Sequence, residues 1–291
     1  MSFTSLPLTT TDIKKLQDTA FQVRRDIVRM VHGCQSGHPG GSLGCADLLV
    51  VLYGAVMRHK AASFDMNGQE EDLFFLSNGH VSAVWYSVLA RNGYFPVPEL
   101  ATFRKIGARL QGHPATKEHL EGIRIASGSL GQGLSVAIGA ALAKKLNNDA
   151  QWVYCLMGDG ELQEGQVWEA TMFAGGKNVH KLIAFVDANG QQIDGSTNDV
   201  LPLGDIASKW AAFGWNTLAV NGHDINEIYT TILHAQDLAT TTNKPVIIIM
   251  KTEMGKGVDF MMGSHHWHGV APNDSQLAAA LAQLPETLGD Y

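Results

Sequence analysis

An open, mostly parallel α/β sheet with helices on both faces is the fold class this sequence predicts, and three observations carry it. Five short apolar runs of strand length are spread along the chain: Asp72–Leu76, Trp152–Met157, Leu182–Asp187, Trp215–Val220 and Val246–Met250. Segments with apolar residues at helical spacing separate them, so each strand returns through a crossover, as parallel neighbours require. Neither an internal repeat nor a low-complexity linker interrupts residues 1–291, which are therefore expected to form one domain.

The elements follow in order. Residues 11–33 place Ile13, Leu16, Ala20, Ile27, Val28 and Val31 at helical spacing, behind a threonine-rich start able to cap a helix. A second helix is expected from about Leu43 to Met57, then the strand Asp72–Leu76, a Ser-Asn-Gly-His turn and a helix through Ala90. Leu130–Leu146, rich in alanine and leucine, reads as a helix. Trp152–Met157, the helix Leu162–Ala174 and Leu182–Asp187 make a βαβ unit, which winds right-handed. Trp215–Val220, the helix Ile225–Leu238 and Val246–Met250 continue the alternation. On such sheets ligands bind beyond the carboxyl ends of the strands, and the glycine- and histidine-bearing loops fall largely there.

Composition excludes several classes. With 28 acidic and 21 basic side chains the net charge is −7, which argues against non-specific binding to nucleic acid or an anionic membrane. No apolar run approaches the roughly 18 residues of a membrane span. The start MSFTSLPLTTTDIKK lacks the basic and apolar regions of a secretory signal. Cys34, Cys45 and Cys155 are odd in number without C-x-x-C spacing, so they read as reduced thiols of a cytoplasmic protein. What stands out is 31 glycines and 12 histidines, many sharing short loops.

The central motif is Gly158-Asp159-Gly160, directly after a strand and before a helix. Glycines there allow close backbone approach to a ligand, and a helix N-terminus presents free amides to an anion. Asn189 lies thirty residues on, at the end of the next strand, which sets an amide oxygen beside the Asp159 carboxylate. Oxygen ligands next to a phosphate site suit Mg²⁺ or Ca²⁺. Taken alone, Gly-Asp-Gly reads equally well as a tight turn with a capping aspartate. No P-loop is present, and the glycine spacing of residues 128–133 is not that of a dinucleotide fingerprint.

With these motifs the chain resembles the thiamine-diphosphate enzymes and, more narrowly, the N-terminal half of the transketolase family. The likeness rests on Ser36-Gly37-His38-Pro39-Gly40, Leu76-Ser77-Asn78-Gly79-His80, Gly112-His113-Pro114, Gly128-Ser129-Leu130-Gly131-Gln132-Gly133, Gly158-Asp159-Gly160-Glu161-Leu162-Gln163-Glu164-Gly165 and His268-Gly269, in the family's order. The resemblance implies transfer of a two-carbon ketol unit from a ketose phosphate to an aldose. It implies a divalent ion held by Asp159, the Asn189 side chain and the Gln191 carbonyl, a position more often aliphatic in the family. It further implies that Gly160 donates its amide to the diphosphate and that Gly128, Ser129 and Leu130 line the thiazolium and aminopyrimidine. His80 and His268 would contact the diphosphate, and His38, His113 and His268 would be the catalytic imidazoles around the sugar.

Other readings stand beside these. His265, His266 and His268 could mark a transition-metal site. Glu164 and Glu169 match acids near the family's subunit interface, or simply favour a helix N-terminus. The small residues of Trp168–Gly176 permit close helix packing, between or within chains. No second parallel-sheet pattern follows, so the aminopyrimidine-binding domain and its activating glutamate are expected on a separate C-terminal transketolase subunit, in an α₂β₂ assembly. The alternatives are a split 1-deoxyxylulose-5-phosphate synthase-like enzyme using pyruvate, a 2-oxoacid dehydrogenase α-like subunit, or a non-catalytic assembly or regulatory subunit.

Overall fold

The computed structural model describes residues 7–291. In chain order the strands are β1 (Leu73–Leu76), β2 (Val153–Gly158), β3 (Leu182–Ala188), the short arms β4 (Gln191–Gln192) and β5 (Gly195–Ser196), β6 (Asn216–Asn221) and β7 (Val246–Lys251). The helices are α1 (Thr10–Cys34), α2 (Pro39–Gly44), α3 (Ala46–Val51), α4 (Ser82–Arg91), α5 (Gly133–Leu146), α6 (Gly165–Gly176), α7 (Thr197–Val200), α8 (Ile206–Ala212), α9 (Ile225–Thr242) and α10 (Asp274–Gln283).

β1, β2, β3, β7 and β6 form one sheet in that spatial order, every pair parallel, while β4 and β5 make an antiparallel hairpin. β1, β2 and β3 are buried almost throughout, which is why they read as unbroken apolar runs rather than as alternation. α5 packs on β1, β2 and β3 with α6 beside it, and α9 packs on β3, β6 and β7 beneath α1 and α3. Helices thus cover both faces, as expected. The register sets Gly158 opposite Asp187 and Asp187 opposite Met250, so the ends of β2, β3 and β7 lie level at one rim.

Of the boundaries that differ from expectation, three have a local reason. The second helix begins at Pro39, whose missing N–H costs nothing at a helix's first position, steps over Cys45 and ends in a π turn at Leu52–Val56. The helix expected from Leu130 starts at Gly133, because Gly131 takes a left-handed conformation (φ +85°). That expected at Leu162–Ala174 splits into a 3₁₀ turn, Gly160–Gln163, and α6. The hairpin, α7, α8 and α10 went unpredicted, although Asn273 and Gln276 form a capping box at the start of α10. Among the described residues no helix is long and apolar enough to cross a membrane.

α6 passes so close to the turn before β6 that a Cβ on Gly175 would lie 1.9 Å from the Phe213 carbonyl oxygen. Gly175→Ala is therefore expected to destabilise the fold by about 1–3 kcal/mol, through overpacking against backbone that cannot retreat. Urea denaturation checks this, and an unchanged midpoint contradicts so tight a contact.

Candidate active site

β2 ends in Gly158 and turns at Asp159, which is 3% exposed. Its Oδ1 accepts from the Gly160 N–H at 2.8 Å and its Oδ2 from the Gly190 N–H at 2.6 Å. Asp187, also buried, ends β3 beside it and accepts from the Thr252 hydroxyl and from Asn189 Nδ2 at 2.8 Å. Burial, then the neighbouring Asp187 charge, pushes the Asp159 carboxyl up to about 7. Because Asn189 Nδ2 faces Asp187, its Oδ1 turns to the hairpin side, where it accepts from the Gln191 N–H at 2.9 Å. Asp159, Asn189 and Gln191 therefore meet at one corner. The Gly160 amide, expected at a diphosphate, is turned to Asp159.

A second network joins the loops after β1 and before α5. Glu161, 2% exposed, accepts from the Ser77 hydroxyl and, at 2.7 Å, from the Gly131 N–H on Oε1, and from the Gly158 N–H at 3.1 Å on Oε2. Ser77 Oγ accepts in turn from the Gly133 N–H at 3.1 Å. A Cβ on Gly79 would meet the Gly128 nitrogen at 2.7 Å, and one on Gly128 (φ +130°) would meet the His113 ring at 2.8 Å. Ser129 accepts from Gln132 Nε2 at 3.0 Å, and the Leu130 carbonyl from Gln166 Nε2 at 3.1 Å.

Above this cradle the four singled-out histidines converge. Ring centroids lie 5.2 Å apart for His38–His80, 5.0 Å for His80–His268, 5.6 Å for His38–His268 and 6.1 Å for His38–His113. They come from the start of α2, the loops after β1 and before α5, and the segment after β7. The Gly255 N–H donates to the Gly40 carbonyl at 2.9 Å, and a Cβ on Gly40 would sit 2.8 Å from the Trp267 carbonyl, so α2 and that segment are in backbone contact. Burial, then neighbouring His268, Arg104 and His113, lowers His38 to about 4. Burial likewise depresses His80, His113 and His268, so all four imidazoles are neutral at physiological pH.

Sequence reasoning missed the groups that hold these in place. Glu161 reads as an ordinary acid in a first helical turn. Asp47 accepts from Arg24 at 2.6 and 3.1 Å and from His223 Nδ1 at 2.9 Å, while His223 Nε2 accepts from the Glu253 N–H at 2.8 Å. Both ring nitrogens are thereby assigned, and the segment leading to His268 is tied to α1 and α3. An acid within the apolar run ADLLVV was the available signal for Asp47. Glu164, which immediately precedes α6, and Glu169 within it are both exposed.

The cradle fits a polar cofactor. Asn78 Oδ1, Ser127 Oγ, His38 Nδ1 and His268 Nδ1 are buried here without hydrogen-bond partners among the described residues, although buried polar atoms ordinarily find one. Two buried carboxylates side by side also favour a cation. Among the described residues no three histidine, cysteine or carboxylate side chains, His265, His266 and His268 included, are brought together as a set of metal ligands. The expected donor set is of another kind: one carboxylate, one amide oxygen and one backbone carbonyl, all hard oxygen ligands.

A parallel α/β sheet whose strand ends bear a glycine-flanked carboxylate, an amide and a histidine wall fits one class of protein, the thiamine diphosphate binding domains. The chain belongs to the transketolase family: residues 16–286 match the model "Transketolase, thiamine diphosphate binding domain". It is 38% identical over 92% of its length to the 6-deoxy-6-sulfo-D-fructose transketolase subunit SqwG of Clostridium sp. (strain MSTE9), covering 96% of that protein. To one of the subunits of apulose-4-phosphate transketolase from Phocaeicola vulgatus it is 34% identical, with 91% of this chain and 92% of that one covered. The crystal structure of transketolase from Campylobacter jejuni superposes with a TM-score of 0.86 at 34% identity, over 94% of this chain but 43% of that one.

The depressed histidines make a pH prediction. A histidine whose folded value lies below 6.5 leaves stability untouched above 6.5. As pH falls from 6.5 toward about 4, the unfolded chain takes up protons that folded His38 refuses, and stability drops. His38→Gln removes that term, so the urea midpoint should fall less steeply with acid in the variant than in the parent. Equal slopes for the two proteins contradict a neutral buried His38.

Proposed function

We propose that this chain is the N-terminal, thiamine-diphosphate-binding subunit of a two-chain transketolase-type transferase, moving a two-carbon ketol unit from a ketose phosphate to an aldose acceptor. The observation that carries the reading is the convergence of His38, His80, His113 and His268 on one another, with the turn that bears His268 packed against the hairpin that follows Asn189. The relatives of similar length are themselves named as transketolase subunits. Residues 1–291 are read as one diphosphate- and metal-binding domain, with the aminopyrimidine-binding domain and its activating glutamate on the partner chain.

Asp159, Asn189 Oδ1 and the Gln191 carbonyl would hold Mg²⁺ or Ca²⁺, and Asp187 orients Asn189 for it through Nδ2. With a cation held by Asp159, the Gly160 N–H, which now donates to that carboxylate, would be free for the diphosphate, which His80 and His268 would also contact. Bound thiamine diphosphate supplies the electron sink for breaking and forming the carbon–carbon bond. Gly128, Ser129 and Leu130 form its wall on this chain. His38, His113 and His268, neutral at rest, each offer one N–H and one lone pair to sugar hydroxyls and the carbonyl oxygen, so they can accept a proton there, becoming imidazolium, and return it. This polar wall suits a polyhydroxylated donor better than pyruvate, and its intact ligand set argues against a purely structural role.

The α₂β₂ assembly has a candidate copy-to-copy face. Val136 on α5 and Met172 and Phe173 on α6 are exposed by 42, 58 and 46%, next to Gly139 and Gly176, where added Cβ atoms would meet nothing. Apolar anchors among small residues allow helices of two copies to pack closely.

Mixing decides the activity: ketol transfer is expected from this chain with its C-terminal partner, Mg²⁺ and thiamine diphosphate, and substantial transfer by this chain alone overturns the two-chain reading. In the complex, Asp159→Ala or Asn189→Ala should weaken cofactor binding at limiting Mg²⁺ by about tenfold or more, and unchanged affinity counts against the metal assignment. Phe173→Glu should convert the heterotetramer to αβ pairs in sedimentation, whereas a retained tetramer mass moves the interface elsewhere.

A further inference from the structure

Glu161 is a buried carboxylate with no cationic partner among the described residues: its donors are one hydroxyl and two backbone amides. Burying a charge on neutral donors alone is costly, so what those donors have in common matters. Ser77 opens the turn that carries His80. Gly131 follows Gly128, Ser129 and Leu130, and Gly158 precedes Asp159. Ser77 passes the connection on to the first residue of α5 by accepting from Gly133. One side chain thus fastens three segments, each bearing residues assigned above to the cofactor or its metal ion.

The segments leave no slack to absorb a shift. A Cβ on Gly133 would lie 2.4 Å from Ser77 Cβ, and one on Gly79 would lie 2.4 Å from Ser127 Oγ. Only a carboxylate at this position satisfies the set, since two oxygens accept from three donors. A glutamine turns one of them into an N–H₂ facing a donor, and an alkyl side chain leaves the Gly131 and Gly158 amides unpaired.

We propose that Glu161 is a positioning residue that sets the spacing between the metal-binding turn at Asp159 and the Gly128–Leu130 loop, and so fixes the gap into which thiamine diphosphate fits. The inference rests on the preceding reading that these two segments grip opposite ends of the cofactor. Glu161 touches neither cofactor nor substrate; it acts through the Gly131 and Gly158 amides and the Ser77 hydroxyl.

The test is made on the two-chain enzyme with saturating Mg²⁺. Calorimetric titration with thiamine diphosphate should give Glu161→Gln a dissociation constant raised about tenfold or more, the scale seen when a group supporting a ligand-holding residue is lost. The KM for the cofactor should rise with it, while the KM for the ketose donor stays within about twofold. Hydrogen exchange on the cofactor-free complex should quicken at Gly131 and Gly158 and leave the β3 amides unchanged. A merely structural role would lower the melting temperature but leave the folded fraction's cofactor affinity intact. Wild-type affinity in folded Glu161→Gln therefore overturns the proposal. Should that variant not fold, Ser77→Ala decides, since it keeps both amides on the carboxylate: a weakening of about threefold supports the proposal and none overturns it. If the unaltered complex binds no thiamine diphosphate, the functional reading itself fails and this inference falls with it. Binding by the unaltered complex together with equal binding by the variants rejects this inference alone.

Discussion

Two carboxylates cannot lie side by side in a protein interior without help, and the ligand-facing end of this domain is organised around that constraint. Parallel pairing of β2 with β3 sets Gly158 level with Asp187, so Asp159 must turn beside a second buried acid. Donors are drawn in from every side: Cys45 at the start of α3, Thr252 after β7, Asn189 and Gly190 ahead of the hairpin, and Gly160 from the turn itself. Satisfying the pair is what brings the carboxyl-end loops together. The same bonds leave Asp159 and Asn189 with oxygen lone pairs at one corner, so the electrostatic difficulty and the proposed cation site are one feature.

How much of this could be read from the sequence depends on the range of the interaction. Strands such as LIAFVD were legible because buried parallel strands need unbroken apolar runs, and the five expected strands pair in one sheet. Helix ends were legible only where a local signal controlled them. At Leu130 the apolar pattern pointed to helix, but the left-handed Gly131 delayed its start to Gly133, and one residue's conformation outweighed the periodicity of the segment. Site residues with a local motif, such as Asp159 or His113, could be named in advance. Glu161, Asp187, Asp47 and His223 could not be given roles, since most of their partners lie between 23 and 176 residues away and belong to no motif that the sequence displays.

The histidines show the same division. Their types and flanking glycines were visible, and so was their bearing on proton transfer; their neutrality was not, because it arises from burial against one another. Arg104, held by the Ser36 hydroxyl at 2.9 Å, is a fixed cation beside His38 and His113 and lowers both. A protonated imidazole would have to be desolvated next to that charge. The wall therefore supplies donors and acceptors rather than positive charge, and the net charge of −7 is no obstacle to an anionic ligand that a cation and backbone amides can hold.

That arrangement also bears on why a second chain belongs in the proposed enzyme. Activating the cofactor needs a carboxyl group free to exchange a proton with the aminopyrimidine, at the opposite end from the diphosphate. Asp159, Asp187 and Glu161, the buried carboxylates at this end, are each committed to amide or hydroxyl donors, and moving any of them would unfasten the loops it holds. A residue cannot both lock a cradle and swing to transfer a proton within it. In the proposed enzyme, the same commitments that would let this domain grip the diphosphate assign the mobile proton to a group mounted elsewhere.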